Sequence, residues 1–261
     1  MDTETLMNLA ETFSLKNRRA LVTGSSRGIG AAIVTALAEA GADVAVHCSS
    51  RHDDAAGTAH RCAAFGVRTA IIEGDLAADG AAEKIFAATV TALGAPDILV
   101  LNASVQIAKE WLTITREDLE RQVAVNFRSS LELLQLAAPG MIERHWGRIL
   151  TIGSVQEARP HPHMLVYSSL KTAQTAMALS LAKQLAVHGV TVNNLAPGVI
   201  DTERNRARLA DEAYRQRVLG WIPAGCIGTP ADCAGAALLL CSDAGRYITG
   251  QNLFIDGGMS L

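Results

Sequence analysis

The chain has 261 residues, of which 49% are hydrophobic and 19% charged, and its formal net charge is −3. That hydrophobic content excludes a disordered chain, because it is enough to build a buried core. The small net charge excludes a general electrostatic attraction to nucleic acid or to an anionic membrane.

The N-terminal segment 1–12 is acidic and lacks the basic region and apolar run of a signal peptide. No stretch approaches the roughly 18 apolar residues that span a bilayer. The five cysteines are odd in number and show no Cys-x-x-Cys spacing, which argues against a disulfide framework or a zinc site. We therefore expect a cytoplasmic protein that binds neither membranes nor nucleic acid.

Short apolar runs alternate with longer segments of helical periodicity along the chain. The predicted strands are 20–23, 43–47, 68–73, 98–102, 148–152, 190–195 and 252–255. Their nearly continuous hydrophobicity is typical of strands that are buried on both faces. The helical segments start at or near Ile29, Asp53, Gly80, Thr115, Leu165 and Pro230.

This alternation predicts an α/β fold, in one doubly wound Rossmann-type domain with a seven-stranded parallel sheet and helices on both faces. No linker rich in Pro, Gly or Ser divides the chain. We expect an N-terminal extension over 1–14 and a single domain over 15–261. A capping-box pattern from Thr115 to Asp118, and Pro230 after Thr229, mark the starts of two helices.

The first predicted strand runs into a glycine-rich turn, and a helix follows. Glycines let the backbone approach a pyrophosphate closely, and the helix N-terminus supplies free N–H groups. In an α/β chain this position predicts a dinucleotide site beyond the carboxyl ends of the strands. The candidate residues of the turn are Gly24, Ser26, Arg27, Gly28, Ile29 and Gly30.

The end of the second strand is expected to select the cofactor. An acidic residue there would bind a ribose 2′-OH and repel a 2′-phosphate. This strand is followed by Ser49, Ser50 and Arg51, with no acid until Asp53, and Arg27 adds a second cation. Because arginine matches phosphate with a planar fork of donors, we predict NADP(H) over NAD(H). The alternative is that both arginines are ordinary solvated charges.

Tyr167 and Lys171 are four residues apart and share one face of a predicted helix. A nearby cation stabilises a phenolate and lowers the pKa of a tyrosine, which is ordinarily about 10. Such a tyrosine can exchange a proton with a carbonyl or alcohol oxygen. Ser154 follows the fifth strand and should lie at the same sheet edge as the cofactor.

These features occur in a familiar order along the chain. The sequence Thr23-Gly24-x-x-x-Gly28-x-Gly30, followed by Asn126, Ser154, Tyr167-x-x-x-Lys171 and Pro197-Gly198, resembles the short-chain dehydrogenase/reductase family. The resemblance extends from about Leu15 to Gly258. It implies that Tyr167 is the catalytic acid/base and that Lys171 lowers the pKa of Tyr167 and holds the nicotinamide ribose. It also implies that Ser154 stabilises charge on the substrate oxygen and that Asn126 completes a proton relay.

Further cofactor contacts are implied at the other strand ends. They are Asp75, Leu76, Asn102, Ala103, Pro197, Gly198, Ile200 and Thr202. One segment departs from the family pattern, since Leu101-Asn-Ala-Ser104 stands where Asn-Asn-Ala-Gly is usual. We expect a locally altered pocket floor there rather than a loss of catalysis.

The substrate contacts are predicted from more variable stretches, and are Ser104, Gln106, Ser154, Gln156 and His163. His161 and His163 lack a third ligand in register, so we predict no metal site. A lid after Thr202 carries Arg204, Arg206, Arg208, Arg215 and Arg217. This cluster either attracts an anionic substrate or forms a solvated helix face with its interleaved acidic residues.

We expect an NADP(H)-dependent enzyme that interconverts a carbonyl and a secondary alcohol on a small polyol, sugar or keto acid. The alternative is a 3-oxoacyl-(acyl-carrier-protein) reductase. Lys183 matches a basic position of the family members that dock the acidic carrier, but Glu132 stands where the same resemblance implies a basic residue. A non-catalytic dinucleotide sensor is the remote alternative, disfavoured because Tyr167 and Lys171 are both present. The resemblance also implies a homotetramer, in which segments 117–141 and 165–187 pair between subunits.

Overall fold

Seven short strands lie side by side in one sheet. In the computed structural model, which describes residues 8–50 and 52–261, they are β1 (Arg19–Val22), β2 (Asp43–Cys48), β3 (Thr69–Glu73), β4 (Ile98–Leu101), β5 (Gly147–Ile152), β6 (Val190–Pro197) and β7 (Asn252–Ile255). Their order is β3-β2-β1-β4-β5-β6-β7, and every neighbouring pair is parallel. The predicted seven-stranded, Rossmann-type α/β fold is confirmed.

Helices connect the strands and cover both faces of the sheet. They are α1 (Leu9–Phe13), α2 (Gly28–Glu39), α3 (His52–Ala63), α4 (Ala81–Leu93), α5 (Arg116–Val123), α6 (Ser129–Glu143), α7 (Leu165–Leu185), α8 (Glu203–Leu209), α9 (Glu212–Leu219) and α10 (Pro230–Cys241). Thr115 and Asp118 form the predicted capping box at the start of α5. None of the helices in the described ranges is long and apolar enough to cross a membrane.

The core lies in two layers, one on each face of the sheet. Val22 and Val44 pack on the side covered by α2, α3 and α10. Their chain neighbours Leu21 and Ala45 pack on the other side, under α4, α6 and α7. Because successive residues of a strand point to opposite faces, burial on both faces produces the continuous apolar runs of the sequence.

The strand order reverses between β1 and β4. The chain moves outward from β1 to β3 and then returns to place β4 on the other side of β1, with Val22 opposite Val100. The loops that leave β1 and β4 therefore diverge and open a crevice at the carboxyl edge of the sheet. Ligands of doubly wound folds bind at such a reversal.

Two local features refine the predicted organisation. The helical region after α5 contains a π-helical segment, Ala124–Arg128, before α6 begins. At the other end of the chain, the predicted extension 1–14 includes residues 1–7, which lie outside the described ranges, and α1. Burial begins at Leu15, which is 0% exposed and whose N–H donates to the carbonyl of Ala40.

Candidate active site

A cleft of about 560 Å³ opens at the carboxyl edge of the sheet, a volume suited to a small-molecule ligand. Most of the predicted site residues line it. They are Gly24, Ser26, Arg27, Gly28, Ile29, Gly30, Ser49, Ser50, Asp75, Leu76, Asn102, Ala103, Ser104, Gln106, Ser154, Gln156, Tyr167, Lys171, Pro197, Gly198, Ile200 and Thr202. Arg51 lies outside the described residues.

The glycine turn between β1 and α2 requires glycine at particular positions. Gly24 and Gly28 have φ angles of +62° and +59°, a region that favours glycine. A Cβ on Gly30 would lie 2.4 Å from the Asn102 amide nitrogen and 2.5 Å from the Gly24 carbonyl oxygen. The N-terminus of α2, capped by no side chain, faces the same cleft with free N–H groups. This cradle fits a pyrophosphate.

The polar side chains of the half-buried Asn102 and the buried His47 hold the turn in place. The Asn102 amide donates to the carbonyls of Thr23 and Gly24 at 2.8 and 2.9 Å. His47 accepts from the Gly24 N–H at Nδ1 (2.9 Å), and its Nε2 lies 2.9 Å from the carbonyl of Gly74. This pattern requires a neutral imidazole with the proton on Nε2. Burial lowers the pKa of His47 to about 4, so that form persists at neutral pH.

The end of the cleft next to β2 carries the residues predicted to select the cofactor. Ser49 and Ser50 follow β2 and line the cleft, as does Arg27. Arg27 forms an ion pair with Glu203 at the start of α8. Asp75 also lines this end and accepts from Arg121 at 3.3 Å. This end of the cleft therefore has hydroxyl donors from the end of β2 and a cation from the glycine turn.

Lys171 is buried on α7, one turn after Tyr167. Its Nζ donates to the Ile152 carbonyl at 2.6 Å and to the Gln174 side chain at 3.1 Å. It lies 5.8 Å from the centroid of the Tyr167 ring. Burial lowers the pKa of Lys171 to about 7, because a charged amine is costly away from water.

The pKa of Tyr167 differs from the expectation. Burial raises this pKa, whereas a lowering by Lys171 was predicted. The charge of Arg204 and the hydroxyl of Ser154 act in the opposite direction but do not outweigh burial. Tyr167 is therefore held in its protonated form, which is the form that can donate a proton to a carbonyl oxygen.

Ser154 is positioned by a carboxylate that the sequence analysis did not single out. The Ser154 N–H donates to Glu157 at 2.8 Å. The other Glu157 oxygen accepts from Asn252 of β7 at 2.9 Å, and Asn194 of β6 also donates to Glu157, at 3.3 Å. Ser-x-x-Glu is a capping-box spacing, so the sequence did contain a signal for this contact.

Asn126 is buried beneath the cleft rather than in its lining. In the π-helical segment, its side chain accepts from the Val105 N–H and donates to the Val105 carbonyl, both at 2.8 Å. This amide pair fixes the loop after β4. Widened turns of this kind are frequent at functional sites. The predicted role of Asn126 in a proton relay stays a prediction.

The predicted substrate residues occupy the cleft wall around Tyr167, with one exception. Gln106 and Gln156 both donate to the Met164 sulfur. His163 does not line the cleft, and its Nδ1 lies 3.0 Å from a Glu110 carboxylate oxygen, so its role as a substrate contact stays a prediction. His161 lines it instead.

The predicted lid forms two short helices, α8 and α9, over the substrate end. Arg204 and Arg208 line the cleft. Arg206 does not line it and lies 4.0 Å from Asp201. Within residues 8–50 and 52–261, no group of three or more His, Cys, Asp or Glu side chains could hold a metal ion.

A glycine cradle at the reversal of a doubly wound sheet, facing a Ser, a Tyr and a Lys, defines a dinucleotide-dependent oxidoreductase. Comparison with known proteins specifies the family. A family model described as enoyl-(acyl carrier protein) reductase matches residues 24–260. The chain belongs to the short-chain dehydrogenase/reductase family, whose members interconvert alcohols and carbonyls.

Solved structures and curated relatives match nearly the whole chain. An Agrobacterium tumefaciens 3-oxoacyl (acyl-carrier-protein) reductase with NADP bound is 40% identical with a TM-score of 0.93, covering 98% of this chain and 99% of its own. A Burkholderia cenocepacia gluconate 5-dehydrogenase in complex with NADP and tartrate is 33% identical with a TM-score of 0.90, covering 97% and 99%. An L-rhamnose 1-dehydrogenase (NAD(P)(+)) from a Sphingomonas species is 32% identical, covering 94% and 97%.

Proposed function

We propose that this protein is an NADP(H)-dependent oxidoreductase that interconverts a carbonyl and a secondary alcohol on a small polar substrate, a polyol, sugar or keto acid. The observation that carries the proposal is the convergence of Ser154, Tyr167 and Lys171 on the cleft that also contains the glycine cradle. The cradle fits a pyrophosphate at one end, and the three polar side chains surround the place where a reacting oxygen would lie at the other.

Each residue has a distinct part in the proposed reaction. The bound nicotinamide supplies or accepts the hydride. In reduction, the Tyr167 phenol donates its proton to the carbonyl oxygen, and Ser154 donates a hydrogen bond that stabilises the developing negative charge. The Lys171 ammonium would then stabilise the phenolate left on Tyr167. Asn126 holds the loop that faces this site and is proposed to complete the relay that returns the proton.

Replacing Tyr167 by Phe tests this assignment directly. The change removes the proton donor but keeps the ring, and we expect kcat to fall by about 1,000-fold on the best substrate of a carbonyl panel. The dissociation constant for NADPH, measured by fluorescence titration, serves as the control and should change little. Turnover within tenfold of the unchanged enzyme would overturn the role of Tyr167.

The preference for NADP(H) is proposed from the residues at the end of β2. Ser49, Ser50 and Arg27 line the cleft there, and two similar structures hold NADP. We expect kcat/KM for NADPH to exceed that for NADH, and Arg27→Gln to reduce the ratio by about tenfold through loss of a charge-assisted hydrogen bond. Arg206→Gln, which removes the same charge from α8, should leave the ratio unchanged. Equal efficiency with the two cofactors would contradict the proposal.

A small polar substrate is favoured by the polar wall formed by Gln106, Gln156 and Ser104. Relatives named for rhamnose and gluconate support the same class. The second candidate, a 3-oxoacyl-(acyl-carrier-protein) reductase, is supported by the name of the 40% identical structure. Against it, Glu132 on α6 and its neighbour Arg128 lie 3.8 Å apart, which leaves that position without a free cation for an acidic carrier.

A panel of sugars, sugar acids, β-ketoesters and 3-oxoacyl thioesters, each assayed with NADPH and NADH, separates the candidates. The proposed function expects turnover of sugars or keto acids. Exclusive turnover of thioesters would favour the alternative. NADPH binding without any turnover would favour the sensor.

We also propose a cytosolic homotetramer. The described cysteines are all free thiols, which suits a reducing compartment. Leu119, Leu131 and Leu165 are exposed on α5, α6 and α7 and form apolar surface that a partner subunit would cover. Light scattering at micromolar concentration tests the assembly, and a monomer would refute it.

A further inference from the structure

The substrate end of the cleft is positively charged. Arg159, Arg204 and Arg208 line it, and within the described ranges none of the three forms an ion pair with an acidic side chain. Glu203, at the start of α8, also lines the cleft, but it pairs with Arg27 of the glycine turn. A cluster of cations that is not neutralised by the protein favours an anionic ligand.

The three arginines are not equivalent. The Arg208 guanidinium lies 4.9 Å over the Tyr214 ring, and Arg159 donates to the Met259 carbonyl at 2.8 Å. Neither of these two contacts reaches the loop after β4. Arg204 instead crosses the cleft and donates to the Ser104 hydroxyl at 3.1 Å and to the Ser104 carbonyl at 2.9 Å.

Arg204 also lies beside the reacting group. Among the neighbouring charges, that of Arg204 has the largest effect in lowering the pKa of Tyr167. The Ser104 hydroxyl interacts with the Tyr167 phenol as well as with Arg204. One oxygen thus links the proton donor to the guanidinium, and two hydrogen-bond lengths in series set an upper limit of about 6 Å between the phenol oxygen and the nearest Arg204 nitrogen.

We propose that Arg204, held by Ser104, binds a carboxylate on the substrate, and that the substrate is a 2-oxo or 3-oxo acid or the corresponding hydroxy acid. This inference rests on the proposed function and names the substrate class of the same site. A carbonyl oxygen on Tyr167 and a carboxylate on Arg204 fit that separation when the carboxylate is attached to the reacting carbon or to the next one. An acid group at the far end of a longer chain would lie beyond Arg204.

The energetic reason is the addition of a charged acceptor to a cation that so far has only neutral ones, because the guanidinium has further N–H donors besides the two that bind Ser104. Arg204 uses two of its donors on Ser104, which carries no charge. A carboxylate would accept two parallel, charge-assisted hydrogen bonds from the same planar group. Since this contact lies near the reacting carbon, it also orients the substrate for the transfer.

The first test compares acids with their methyl esters. We expect 2-oxo and 3-oxo acids to be reduced with a higher kcat/KM than the matched esters. Arg204→Gln should lower kcat/KM for the acids by about 30-fold and for the esters by less than about threefold. Arg206→Gln is the matched control and should change neither. Equal losses on acid and ester, or a preference for esters in the unchanged enzyme, would overturn the inference.

The second test does not depend on turnover. Malonate, an unreactive carboxylate, is titrated calorimetrically into the enzyme saturated with NADP⁺. Binding that is weakened about 30-fold by Arg204→Gln, and partly restored by Arg204→Lys, supports the anion site. Malonate that fails to bind, or binds Arg204→Gln as tightly, overturns it. If malonate binds through Arg204 while no carbonyl compound is reduced, the proposed function fails and the anion site stands.

Discussion

The two ends of the cleft are built in different ways. At the cofactor end, backbone groups of the glycine turn form the surface that fits a pyrophosphate, and the half-buried Asn102 and the buried His47 hold them through short hydrogen bonds. At the substrate end, α8 and α9 carry exposed arginines and anchor themselves through few buried residues, among them Leu209 and Val218. The shape of the cofactor end is therefore set mainly by the backbone of the glycine turn, whereas the shape of the substrate end is set by side chains on two short helices.

This contrast indicates where the chain tolerates change. A binding surface formed by a glycine turn requires particular φ angles and the absence of side chains at its glycines, so most substitutions of those glycines are excluded. A layer of exposed side chains on short helices can change its chemistry without moving the sheet. The family's common cofactor and the varied substrates of its members are consistent with this division of the site.

Among the tests of this contrast, the largest effect is expected from adding a side chain to the glycine turn. In Gly30→Ala the new Cβ would meet the Asn102 amide and the Gly24 carbonyl, neither of which is free to move. Strain of about 3 kcal/mol should displace the turn and weaken NADPH binding by on the order of 100-fold. Fluorescence titration measures this.

The matched control lies in the lid. A Cβ on Gly220 meets nothing closer than 3.4 Å, so Gly220→Ala should bind NADPH as the unchanged protein does. If both variants bind NADPH normally, the turn is more adaptable than its geometry indicates, and the contrast between the two ends fails.

An intermediate effect is expected from acid. The pKa of His47 is about 6.5 in the unfolded chain and about 4 in the folded protein. Between these pH values the unfolded chain therefore binds one more proton than the folded protein does. The contribution of His47 to the free energy of unfolding is therefore fully present above about pH 6.5, and it decreases by up to about 3 kcal/mol as the pH falls to about 4. Urea unfolding of the protein and of His47→Gln across this range measures the difference.

His47→Gln should lose this part of the pH dependence, because glutamine can accept from the Gly24 N–H without titrating. The exposed His60 supplies the control, since His60→Gln should retain the acid dependence in full. A His47→Gln protein with the same loss of stability in acid would show that His47 is not the responsible group.

The smallest effect is expected from shortening a buried valine, and the position of that valine decides whether local or global stability is lost. Val218 of the lid and Val192 of β6 are both 0% exposed. Replacing either by Ala costs about 2 kcal/mol of packing. We expect Val192→Ala to lower the global free energy of unfolding. Val218→Ala should instead accelerate amide hydrogen exchange in α8 and α9 and leave NADPH binding unchanged. Equal global losses would mean that the lid unfolds only with the sheet.

Much of the fold could be predicted because its signals are local. Strands buried on both faces leave unbroken apolar runs, and β2, predicted as 43–47, ends one residue later at Cys48. The glycine turn was recognisable because steric limits restrict its composition. The residues predicted around Tyr167 likewise lie together, since strand ends of a parallel sheet meet at one edge.

What could not be predicted depends on contacts that are distant in sequence. Arg204 and Ser104 are 100 residues apart, and nothing near either residue indicates that they meet. The π-helical segment around Asn126 does not disturb the hydrophobic pattern enough to be detected. The raised pKa of Tyr167 follows from its burial, which the spacing to Lys171 does not reveal.

The contact between Glu157 and Asn252 has a consequence for protein engineering. It joins the loop that carries Ser154 to the outermost strand, β7, more than 90 positions later in the chain. A chimera that takes its C-terminal segment from another family member would import a new partner for Glu157. Such recombinants should keep residues 157, 194 and 252 from one parent, whereas α8 and α9 can be exchanged as a cassette.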